Sequence, residues 1–171
     1  MQGKVMNKST LTPFIFLLLF PVAALAYDVN GVGLGSKESD VKKTFPSALC
    51  KALEWKTNAA DRRCDDGRIV MGGIEGKATF YMKADVIQGF GLRFDLKDLE
   101  RVKAHLRQRW GAPLAEATDV IPQKDKPDRK IYKSRWEKGT DLAILTAQMD
   151  GKRVIVEVSR GNFNTEIDKV R

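Results

Sequence analysis

The sequence predicts an α+β domain: an antiparallel sheet with helices packed on one face. Three observations lead there. Residues 37–45 and the stretch from Asp95 to Trp110 carry apolar side chains at helical spacing. Each is followed by runs in which apolar and polar residues alternate, the period of a strand with one buried face. Turn residues separate those runs, so neighbouring strands fold back on one another. Helices set apart from runs of antiparallel strands pack together on one side of the sheet.

The first helix is predicted at 37–45. Ser36 suits its N-cap, Glu38 and Asp40 stand in the first turn where the helix dipole favours acids, and Pro46 stops it. Val41 and Phe45, four residues apart, form its buried face. A Cys50–Cys64 loop carrying Trp55 comes next, with Asp65-Asp66-Gly67 as a turn. Strands are expected over 68–74, 77–83 and 86–94. Gly72-Gly73 suggests a bulge or a close approach in the first of them. Lys83-Ala84-Asp85 turns the chain, and Phe90, Leu92 and Phe94 share a face of the third.

The same order then returns. Asp95 caps a second helix, in which Leu99, Val102, Leu106 and Trp110 make an amphipathic stripe ended by Gly111 and Pro113. A polar connector is expected over 115–129. Strands follow over 130–137, 141–149 and 153–159, with Lys138-Gly139 and the strong hairpin signal Asp150-Gly151 between them. Tyr132, Ser134 and Trp136 share one face, and Val154, Val156 and Val158 point inward. The pattern is a tandem α-β-β-β repeat with half-repeats 31–94 and 95–159. SDVKKTFPSAL echoes ERVKAHLRQRWGAPL at the helix ends. A half of about 70 residues buries little apolar surface alone, so the halves are expected to share one sheet. The sheet face away from the helices is then free for a partner.

Residues 1–26 read as a cleaved signal peptide. Lys4 and Lys8 lead, an apolar run centred on FIFLLLF follows, and Ala24-Leu25-Ala26 has the small-x-small form of a cleavage site. Met6 offers a second start with the same outcome. Tyr27 becomes the mature N-terminus, residues 27–171 form a single α+β domain, and the protein is placed in the periplasm. No cysteine stands at the cleavage point, so no stable membrane anchor is expected afterwards.

The chain carries a formal net charge of +8, of which residues 1–26 supply two lysines. The charges are interleaved, as in DVKK, DRRCDD and QKDKPDRK, which suits a solvated surface. Export removes nucleic acid as a partner. Cys50 and Cys64, the chain's two cysteines, form a disulfide in an oxidising compartment. It closes a loop worth roughly 3 kcal/mol in the chain-entropy model. Their spacing is too wide for a C-x-x-C redox site.

No catalytic, cofactor-binding or metal-binding residue is assigned. His105, the single histidine, is placed on the exposed shoulder of the second helix. Gly72-Gly73 and Gly89-x-Gly91 lack the strand-to-helix setting of a phosphate loop. Met71, Met82 and Met149 lie on strands and read as core. Trp55 with Lys51, Lys56, Arg62 and Arg63 is the one constellation that looks like an interaction edge. The alternative is a tryptophan packed over its own disulfide. Trp55, Lys56, Arg62 and Arg63 are the candidate partner-binding residues.

The opening Gly33-Leu34-Gly35-Ser36-Lys37-Glu38-Ser39-Asp40-Val41, running on to Phe45-Pro46, heads this exported and duplicated unit. In that setting it resembles the β-lactamase inhibitor protein fold. It is also similar to the single-unit family of small outer-membrane assembly lipoproteins of the BamE (SmpA/OmlA) type, in which G-M-[ST]-x-x-x-V opens the first helix. The resemblance covers residues 31–113 and, by element order, 130–159. The chain lacks that family's lipobox cysteine. The resemblance implies a non-enzymatic binding or accessory module, with another periplasmic or outer-membrane protein as partner. The alternative is a small-ligand binder or enzyme with a pocket between sheet and helices.

Overall fold

A computed structural model describes residues 27–55 and 57–169. The expected signal peptide and Lys56 lie outside the described residues. The chain enters through a small hairpin, Asp28–Val29 (β1) and Val32–Gly33 (β2). Helix α1, Glu38–Thr44, follows. Its N-cap is Lys37, one residue after the expected Ser36. Asp40 Oδ2 accepts from the Lys37 N–H at 2.8 Å, while Ser36 Oγ accepts from the Gly33 N–H at 3.2 Å.

The remaining strands are Leu49–Ala52 (β3), Arg62–Met71 (β4), Ile74–Lys83 (β5), Val86–Asp95 (β6), Ala115–Ile121 (β7), Arg129–Lys138 (β8), Asp141–Gln148 (β9) and Arg153–Arg160 (β10). They make one antiparallel sheet of eight strands in the order β3-β4-β5-β6-β10-β9-β8-β7. The helix after β6 begins as a 3-10 turn, Leu96–Asp98, and continues as α2, Leu99–Trp110, up to Gly111 at φ 86°.

One face of the sheet is the core. Along β5 and β6 the residues Ala78, Phe80, Phe90, Leu92 and Phe94 are buried, and across the seam Val154 pairs with Phe94, Val156 with Leu92 and Val158 with Phe90. Ala143, Leu145, Ala147, Tyr132 and Trp136 continue the face. Both α1 and α2 cover it. Val41 and Phe45 are buried, with the Phe45 ring 5.5 Å from Phe80. From α2, Leu99, Val102 and Leu106 are buried. Trp110 is half-buried, standing edge-on to Tyr27 at 5.1 Å and to Trp136 at 5.8 Å.

The α+β class and the antiparallel sheet hold, and several finer expectations are corrected. Each half contributes four strands, not three. The Cys50–Cys64 loop is flanked by strands β3 and β4, and the expected connector at 115–129 contains β7. All seven β7 residues are exposed, so no apolar face marks that strand in the sequence. Asp65-Asp66-Gly67 is not a turn but part of β4, whose register shifts between Asp66 and Ile69. Gly72-Gly73, at φ 56° and 77°, is the hairpin turn between β4 and β5.

Helix α3, Phe163–Asp168, packs on the other face of the sheet. Its Phe163 ring lies 5.6 Å from Tyr81. A Cβ built on Gly89 would fall 2.5 Å from that ring, so the missing side chain makes the seat. The outer face is therefore not wholly free. Met149 is 46% exposed rather than core, whereas Met71 and Met82 are buried.

Candidate functional site

Cys50 and Cys64 are directly opposite each other on β3 and β4, with Cα atoms 3.9 Å apart, and are joined as a disulfide. The bond is a rung between the edge strand and its neighbour. Cys64 is fully buried and Cys50 partly so, so the rung faces the core. Glu38 of α1 stands beside it: its carboxylate and the two sulfurs all lie within 4.8 Å of one another. That carboxylate is already engaged. Arg62 Nε donates to it at 2.8 Å and Nη2 at 3.2 Å, and Lys42 Nζ lies 2.6 Å away. Hydrogen bonds from Arg62 first, and from Lys42, hold the Glu38 carboxyl below the usual range. With both sulfurs bonded to each other, the group is a brace between α1, β3 and β4.

Beyond the rung the hairpin carries Trp55, 66% exposed. A tryptophan so open is not packed over the disulfide. Lys51, Leu53, Glu54 and Arg63 line a shallow hollow of about 150 Å³ with it. Arg63 Nε lies 2.9 Å from Asp65 Oδ2. Alternation along β4 sends Arg62 and Arg63 to opposite faces. The four candidate residues are thus divided: Trp55 and Arg63 meet on the outer side, Arg62 is turned to α1, and Lys56 is not described. Leu49, 76% exposed, stands on the same edge strand.

The outer face also holds an open groove of about 340 Å³ between the bulge of β4 and the seam. Arg68, Lys77, Arg93 and Arg153 line it with Glu75 and Asp95. It lies away from α1 and α2, not between sheet and helices. The buried carboxylate of Asp66 accepts from Ser47 Oγ and from the Arg68 N–H, both at 2.8 Å, which explains its burial in structural terms.

His105 is half-buried, not on an exposed shoulder. A Cβ at Gly72 would lie 2.3 Å from its Nδ1, so the ring covers the glycine turn. Burial, then the charge of Arg109, pushes its pKa down, and Asp28 pulls the other way. Sequence reasoning missed the Glu38–Arg62 brace and the Gly89 seat. The brace had no local signal, since 24 residues separate its partners. Gly89 did carry one, a glycine inside a strand pattern.

No family model matches this chain, and neither the curated proteins nor the solved structures searched contain a match.

Proposed function

We propose that this chain is an exported, periplasmic, non-enzymatic binding module that engages another envelope protein through the Trp55 hairpin. The observation that carries the reading is Trp55 itself. It is a large aromatic, 66% exposed, on a hairpin fastened at its base by a covalent rung. Tryptophan next to arginine is the composition of binding hot spots, and a pinned loop loses less entropy on binding than a free one. The disulfide supports an oxidising compartment. Among the described residues no helix is long and apolar enough to cross a membrane.

We also carry the duplication as part of this reading. The strand order places β3 to β6 and β10 to β7 as reversed sequences of four, each preceded by a helix on the core face. A doubled helix–four-strand unit accounts for that order, and it supports the resemblance to duplicated binding folds.

The test is a photo-crosslinking residue placed at Trp55 and, as a control, at exposed Lys97. One adduct with another envelope protein is expected at position 55 and none at 97. Trp55→Ala should lose the captured partner while keeping its thermal midpoint. The same adducts from both positions would overturn the reading.

A further inference from the structure

The two edges of the sheet are guarded very differently. β3 has four residues and is tied to β4 by the Cys50–Cys64 rung. β7 has seven, and its register with β8 runs unbroken from Ala115–Arg135 to Ile121–Arg129. Exposed edges are commonly blunted by lysine, proline, a bulge or an unpaired inward charge. Within Ala115–Ile121 there is no lysine or proline. Its two acids are neutralised within the chain. Glu116 is held by Arg107 and the Tyr132 hydroxyl, and Asp119 by Lys133 at 3.0 Å. Leu114, Val120 and Ile121, 68%, 53% and 44% exposed, add apolar surface at this edge.

The ladder shows which main-chain groups the edge offers. The Met149 N–H donates to the Lys130 carbonyl at 2.8 Å, so Lys130 points its main chain toward β9. Successive residues of an antiparallel strand bond to opposite neighbours. Ile131, Lys133 and Arg135 therefore bond toward β7 and engage Asp119, Ala117 and Ala115, their partners in the register. The N–H and C=O groups of Glu116, Thr118 and Val120 are left facing outward.

We propose that β7 is the interface for a second copy of this chain, paired antiparallel to its own counterpart about Thr118. This register uses every outward group. Thr118 pairs with Thr118 of the second copy, and Glu116 with Val120 in both directions. The side chains agree: Ala117 meets Asp119 and Ala115 meets Ile121, so no like charges face each other. Centring the pair on Asp119 instead would oppose two carboxylates. The local charge at β7 is balanced on a chain of net charge +8, which makes this edge a place where two copies meet with little repulsion. The result is one sheet running through both molecules.

The experiment uses the exported protein, purified with its disulfide intact. Light scattering should report twice the chain mass, and Thr118→Pro should halve it. Thr118 bonds outward, so this substitution removes no bond to β8 and far-UV circular dichroism should be unchanged. Thr118→Cys keeps the idea testable if the proline variant fails to fold. A hydrogen-bonded antiparallel pair brings Cα atoms to about 5.5 Å, within disulfide reach. That variant should therefore form a covalent dimer without reductant, and Ala117→Cys should not. A wild-type monomer at every concentration would overturn the proposal, including one that accepts an extended segment of another protein at β7. So would equal crosslinking of the two cysteine variants. Trp55 plays no part in these readouts, so their failure leaves the binding reading to its own test.

Discussion

His105 gives the chain a pH response that can be read from its surroundings. The ring covers Gly72, and burial, then the charge of Arg109, lowers its pKa below the usual histidine range. The unfolded chain then takes up the proton first as pH falls. Stability from this site is fully present above about pH 6.5 and is lost as pH drops through that value toward the folded pKa. Thermal melts from neutral to mildly acid pH should show the wild type losing stability, and His105→Gln should flatten that part of the slope. A variant as pH-sensitive as the wild type would contradict the assignment. Gly72 is the other half of the contact. At φ 56°, with His105 Nδ1 2.3 Å from a built Cβ, Gly72→Ala should cost on the order of 1 kcal/mol or more, measured by denaturant unfolding. Glu38 works in the opposite sense from a partnered base. Its pKa is lowered, so its contribution stands above the ordinary carboxylate pKa and is lost as pH falls through the folded value. Glu38→Gln should remove that acid-side dependence.

At the scale of elements, α2 is held by the residues its periodicity exposes to the sheet. Leu106 is fully buried, and Leu106→Ala should cost about 2–5 kcal/mol in equilibrium unfolding. Trp110, half-buried between Tyr27 and Trp136, should cost less than a fully buried tryptophan. Helices α1 and α2 and the six longest strands were legible because each shows an apolar stripe at its own period. β3 and β7 were not. Their exposed side chains bring no hydrophobic pattern, and they are strands only because β4 and β8 offer hydrogen-bonding edges. Short α3 was hidden for a related reason: Phe163 and Ile167 make sense only against Gly89 and Tyr81, far away in sequence. Gly89→Ala should unseat α3, and hydrogen exchange in 163–168 should quicken while the core strands keep their protection.

For the whole molecule, the Cys50–Cys64 pairing was readable from the count of two cysteines and the export expected of residues 1–26, but its position as a cross-strand rung was not. The same holds for Trp55. Its companions in sequence promised a cluster, yet alternation along β4 parts Arg62 from Arg63. The Trp55 hairpin lies on the half that begins with β3, whereas the β7 edge lies at the opposite end of the sheet. Both keep fixed places only if the halves form one body across β6 and β10. That seam is a seven-pair register from Asp95–Arg153 to Gly89–Ser159, with Phe94, Leu92 and Phe90 set against Val154, Val156 and Val158. Native-state hydrogen exchange tests it directly. The slowest amides should lie in β6 and β10 and exchange only through global unfolding, with β3 and β7 opening earlier. Seam amides that exchange as fast as those of the edge strands, with each half unfolding at its own free energy, would contradict the single sheet.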